Sequence, residues 1–117
     1  MIERAAVRRW VDGYLDAWTT NDPDGLAELF TEDARYFTLP TRAPVEGRDA
    51  IIRDWLDRAD EPGSWTARLD VIAVDGNVAV VQGEVDYADD EDFANLWVIK
   101  FADDGRASEF TEWWITR

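Results

Sequence analysis

The segment ANLWVIKFADDGRASEFTEWWITR, Ala94 to Arg117, alternates large apolar and polar residues on both sides of Asp103-Asp104-Gly105-Arg106. Alternation with a period of two, interrupted by turn-forming residues, predicts an antiparallel hairpin with strands over Ala94–Phe101 and Ala107–Ile115. On the second strand Phe110, Glu112 and Trp114 share one face, and Glu109, Thr111 and Trp113 share the other. Each face carries one glutamate and one tryptophan, so alternation alone leaves open which of them turns inward. If the first does, the Glu112 carboxylate lies between two rings, loses hydration and becomes a proton carrier near neutral pH.

Upstream of the hairpin, Trp65–Val74 and Val78–Tyr87 repeat the alternation. The connections are Asp75-Gly76-Asn77 and an acidic loop, Ala88-Asp89-Asp90-Glu91-Asp92. Before Trp65 the period is helical. Ile2, Ala6, Val7, Trp10, Val11, Tyr14 and Trp18 recur at spacings suited to one helix face, predicting an amphipathic helix over residues 2–19. Asn21-Asp22-Pro23-Asp24 supplies a cap, a first-turn proline and an acid for a short second helix carrying Leu26, Leu29 and Phe30. Arg35–Leu39 reads as a short strand ended by Pro40, and Pro-Thr-Arg-Ala-Pro as a loop. Gly47-Arg48-Asp49 opens a third helix with Ile51, Ile52, Trp55, Leu56 and Ala59 on one side, stopped by Asp60-Glu61-Pro62-Gly63. Helices first and antiparallel strands last make an α+β domain with helices over one sheet face. A strongly bent sheet would gather Tyr14, Trp18, Trp55, Trp97 and Trp114, either as a filled core or around a cavity.

Composition narrows the chemistry. The 117 residues suit one domain, residues 1–117, and contain no cysteine and no histidine. Disulfides, thiolate chemistry, the usual triads and the commonest metal ligand are therefore unavailable. Only Ser64, Ser108 and Lys100 remain for serine or lysine chemistry, so any proton transfer falls to Asp, Glu, Tyr or water, and no cofactor or metal is expected. With 26 acidic residues against 12 basic ones the net charge is -14. Such a chain repels a phosphate backbone and an anionic membrane, leaving a solvated surface or a cationic ligand as readings of the acidity. No apolar run is long enough for a membrane span, and the first residues lack a signal-peptide core; a soluble, cytoplasmic protein is expected.

Three segments carry a resemblance to a known family. They are the first helix running into Asn21-Asp22-Pro23-Asp24-Gly25-Leu26-Ala27-Glu28-Leu29-Phe30-Thr31-Glu32-Asp33-Ala34, the helix start Gly47-Arg48-Asp49-Ala50-Ile51, and Phe101-Ala102-Asp103-Asp104-Gly105-Arg106. In this order they resemble the nuclear-transport-factor-2-like superfamily, and within it the SnoaL-like group. Relatives include ketosteroid isomerases, polyketide cyclases and limonene epoxide hydrolases. The resemblance implies a cone: three N-terminal helices on a curved, mixed and mainly antiparallel sheet. It also implies a pocket for a small apolar organic molecule. Fold alone does not imply chemistry in such a scaffold.

Against the ketosteroid isomerases, Tyr14 falls on the oxyanion-hole tyrosine, but Thr38 stands at the base position and Trp97 at that of the protonated acid. Isomerisation by that set is not expected. Against the limonene epoxide hydrolases, Glu112 falls on a catalytic acid, but Val81, Gly83 and Val85 occupy the region of its partners. The resemblance thus favours an inward Glu112. The resulting candidates are Glu112 as acid/base and Tyr14 as hydrogen-bond donor, with Trp18, Trp55, Asn95, Trp97, Phe110 and Trp114 contacting substrate. The reaction class is cofactor-free isomerisation, cyclisation or hydration, and the competing class is a non-catalytic ligand-binding or dimerisation module. A homodimer through the outer sheet face is expected, because Trp113 and Ile115 would otherwise lie in water. Arg35 and Arg42 near the first strand are open to contact with an anionic substrate, but on so acidic a surface salt bridges are expected of them, and Asp33 is expected at a turn.

Overall fold

The computed structural model describes residues 1–88 and 91–117. Helix α1, Arg4–Thr20, buries Val7, Trp10, Val11, Tyr14 and Ala17 along one stripe. It stops where Asn21 turns left-handed (φ 54°) and returns its N–H to the Ala17 carbonyl, a closure that asparagine tolerates better than most residues. Asp22 then caps α2, Pro23–Leu29, by accepting the Asp24 N–H at 3.0 Å. Strand β1, Phe30–Phe37, follows without a loop. A two-residue strand β2, Val45–Glu46, leads into α3, Arg48–Asp57. The remainder is strand: β3, Trp65–Asp75; β4, Val78–Tyr87; β5, Phe93–Phe101; and β6, Ala107–Thr116.

The six strands form one sheet in the order β2-β1-β6-β5-β4-β3. All neighbours are antiparallel except β1 and β6, which run parallel. Three helices on a curved mixed sheet make the α+β cone that the resemblance implied. Register shifts in β3 after Val71, in β1 after Phe30 and in β5 after Lys100 supply local bends. Gly83 of β4 supplies close approach: a Cβ there would sit 1.8 Å from the Arg68 carbonyl oxygen of β3. Only glycine lets the two strands meet at that point.

The order of elements follows the expectation, whereas several boundaries correct it. Phe30 is not the end of α2 but the first residue of β1, whose pairing with Ala107 holds it extended. Strand β2 lies between the expected loop, residues 40–44, and Gly47, where the sequence reading assigned no element. Helix α3 ends at Asp57, so Ala59 lies beyond it, and Leu56 is 41% exposed rather than covered. Asp33 lies inside β1, not at a turn, and accepts from Thr31. Of the acidic loop, Asp89 and Asp90 lie outside the described residues.

The core sits between α1 and the concave sheet. Trp10 is its hub, edge-on to Phe30 and Phe101, with its indole N–H donated to the Leu29 carbonyl at 2.9 Å. Arg4 and Arg8 clamp the helix to the β3 edge through the carbonyls of Val71 and Leu69, each at 2.6 Å. These contacts fill the narrow end and leave the wide end, beneath α3, free for a cavity.

Candidate active site

A cavity of about 330 Å³ opens at the wide end, with α3 and the segment after it on one side and the β4–β5–β6 strands on the other. Its polar centre is Glu112. Alternation along β6 turns Phe110, Glu112 and Trp114 inward, while Glu109 on the opposite face meets Arg35 at 2.9 Å and Lys100 at 3.6 Å. Register pairs Trp97 directly with Glu112 and Asn95 with Trp114. The Trp97 indole N–H and the Asn95 amide N–H accordingly both donate to Glu112 Oε2, each at 3.0 Å. Glu112 Oε1 has no hydrogen-bond partner among the described residues, and no arginine or lysine there forms an ion pair with the carboxylate. Burial pushes the Glu112 carboxyl above its ordinary range, and the donors from Trp97 and Asn95 offset only part of that.

Beside the carboxylate, the Tyr14 hydroxyl of α1 and the Tyr36 hydroxyl of β1 share a hydrogen bond at 2.8 Å. Burial raises both well above the usual phenol value, and the nearby Glu112 charge acts in the same direction. Both are thus neutral donors over any physiological pH. Tyr36 was not singled out in the sequence. Its signal was weak but present, since it lies two residues before Thr38 on the same strand face, and Thr38 also lines the cavity.

The aromatic wall is continuous. Tyr14 stands 4.4 Å from Trp97 and 4.9 Å from Trp55, measured between ring centroids. Trp18 stacks on Trp65 at 3.7 Å and donates its indole N–H to Asp60 at 2.9 Å, closing one rim of the opening. Trp114 lines the opposite wall. Phe110 corrects its assignment as a substrate contact. It is fully buried, stacked on Tyr36 at 4.6 Å and on Tyr14 at 5.6 Å, and belongs to the floor that holds the two phenols rather than to the cavity lining. Asn95 is 8% exposed with its donor committed to Glu112 and its Oδ1 buried without a partner, so it orients the carboxylate.

Sequence reasoning also missed the charged rim. Asp54 of α3 and Arg58 just beyond its end pair with each other there, and Asp60 and Arg42 complete it. Arg35 makes the expected salt bridge, to Glu109, but Arg42 pairs with no carboxylate of the described residues.

Comparison with known proteins finds the same fold. A candidate polyketide cyclase from Sinorhizobium meliloti is 26% identical over 96% of this chain and 100% of its own, with a TM-score of 0.73. A candidate ketosteroid isomerase from Kribbella flavida is 24% identical over 96% and 79% of the two chains, with a TM-score of 0.74. A protein of unknown function with a cystatin-like fold from Methylobium petroleophilum is 19% identical over 99% and 80%, with a TM-score of 0.78. Comparison with curated proteins gives no match. The family model for the SnoaL-like domain matches residues 7–110, and the chain therefore belongs to the SnoaL-like domain family.

Proposed function

We propose that residues 1–117 act as one small-molecule-binding unit whose cavity carries out cofactor-free acid/base chemistry on a compact, largely apolar organic substrate. The supporting observation is a carboxyl group held by Trp97 and Asn95 with its second oxygen free toward an aromatic cavity. Glu112, ionised, would accept a proton from a carbon next to a carbonyl or from an attacking water. The Tyr14–Tyr36 pair would donate to the oxygen that gains negative charge, and the protonated Glu112 would then return the proton at a new position. Isomerisation, cyclisation and hydration would share this proton relay and differ in the bond formed: none new between heavy atoms in isomerisation, a ring-closing bond in cyclisation, and a carbon–oxygen bond from water in hydration. A carboxyl pKa raised by burial suits this role, since it makes the protonated form easier to reach than in an ordinary glutamate.

The test is a thermal-shift screen of small carbonyl compounds and alcohols, followed by turnover assays on each hit with wild type and Glu112→Gln. Wild-type turnover that Glu112→Gln abolishes, while the hit still raises its melting temperature, is the expected result. Hits that bind but are never altered would favour the second reading, a non-catalytic binding module. Thr38, standing where a general base would be needed, supports that alternative.

We further propose that the protein pairs through the outer sheet face. Trp113 and Ile115 are 49% and 69% exposed there, beside a groove that Leu39, Pro40 and Leu96 also line. Light scattering should report a dimer at micromolar concentration, and a monomer would refute the pairing.

A further inference from the structure

The cavity combines a buried acid that has no counter-ion among the described residues with a wall of indoles. A carboxylate withdrawn from water ordinarily acquires a cation or is protonated. Here the arginines nearest the cavity, Arg42 and Arg58, are both exposed, and Arg58 is already engaged by Asp54. The groups facing Glu112 more directly are neutral: Tyr14 from α1, Tyr36 from β1, and Trp97 and Asn95 from β5. The indoles of Trp18, Trp55, Trp97 and Trp114 line the same space, and an indole that turns its face to a cation attracts it through the negative side of its quadrupole. Asp60 at the mouth is bonded by the Trp18 indole and the Tyr87 hydroxyl, both uncharged. Beyond the mouth, a net charge of -14 draws cations inward and repels anions.

We infer that the ligand of this cavity carries a positively charged nitrogen, an ammonium or quaternary ammonium head on a small apolar body, seated among the tryptophans with its charge against Glu112 Oε1. The inference rests on the cavity being the ligand site, as proposed above, and sharpens the substrate class. The missing counter-ion comes from the ligand, and the aromatic wall replaces the water that the cation sheds. With a cation in place the carboxylate stays ionised, so the same ligand that fills the cavity also sets Glu112 in its base form.

Three probes of similar size decide the matter: phenyltrimethylammonium, its uncharged isostere tert-butylbenzene, and benzoate. Each is titrated by tryptophan fluorescence and calorimetry at moderate salt, against wild type and Glu112→Gln. The cation should bind wild type about tenfold more tightly than the isostere, and benzoate should bind more weakly than either. Glu112→Gln should remove that advantage and leave the isostere unchanged. Because the probe's charge is permanent, its affinity for wild type should rise with pH as Glu112 ionises and stay flat in the variant. The variant also subtracts contributions from Asp54, Asp60, Arg42 and Arg58, which it retains. Equal binding of cation and isostere, a preference for benzoate, or a cation advantage that survives Glu112→Gln would each overturn the inference while leaving the cavity a ligand site. Binding of none of the probes would overturn both.

Discussion

The two faces of the β5–β6 hairpin carry nearly the same residue types and have opposite chemistry. Outside, Glu109 is flanked by Arg35 and Lys100, and Trp113 and Ile115, farther along the same face, are exposed. Inside, Glu112 has only neutral N–H donors among the described residues and is walled by rings. A glutamate with cations at hand in water is a surface ion pair of small energetic consequence. One with neutral donors and little water has its protonated form favoured by its surroundings. Reactivity in this molecule is thus a property of the face, set by strand parity, and not of the residue type.

Substitutions placed on the two faces should separate them sharply. Phe110→Ala, under the Tyr14–Tyr36 pair, should cost about 3–5 kcal/mol, as expected for an aromatic removed from a fully buried site. Ile115→Ser on the outer face should change monomer stability by at most about 0.5 kcal/mol. Chemical denaturation of both variants measures the contrast, and similar losses would erase the distinction. Tyr36→Phe should cost about 1 kcal/mol for the lost hydroxyl pair, read in the same way, and should weaken any turnover without emptying the cavity of ligand.

The glutamates should differ in sign as well as size. Glu112 is raised by burial, so its protonated form is favoured in the folded state. Below its ordinary unfolded value the group is protonated in both states and carries no penalty. As pH rises from there through the raised folded value, the unfolded chain releases its proton first and stability is lost. Glu112→Gln should therefore melt higher than wild type at neutral pH, with the gap closing in acid. Glu109→Gln should instead lower stability slightly, by about 0.5 kcal/mol or less, and the loss should shrink further in high salt. Melting curves across pH and salt check both, and a destabilised Glu112→Gln at neutral pH would contradict the desolvation of the inner site.

Much of this contrast was legible from strand parity. The hairpin, its turn and the grouping of Phe110 with Glu112 and Trp114 need only a period of two. Orientation was not legible from parity, because each face offers a glutamate and a tryptophan; the family resemblance favoured an inward Glu112, and packing against α1 is what physically chooses it. Phe30 was misread for a related reason. It continues the apolar spacing of Leu26 and Leu29, and its extended state comes from pairing with Ala107, far along the chain. Tyr36 became a site residue only when β1 came alongside β6 and brought its hydroxyl to Tyr14, 22 positions away. Phe110 was assigned to the cavity because parity reports the inner side of a sheet without reporting depth. The tyrosine rings lie above it.

Direct titration of the Glu112 carboxyl carbon by NMR bears most closely on the claim that this side chain is a desolvated proton carrier. The side chain should ionise above the ordinary glutamate range, and addition of phenyltrimethylammonium should draw that midpoint downward. A carboxyl that ionises at or below the ordinary value in the free protein would contradict the claim.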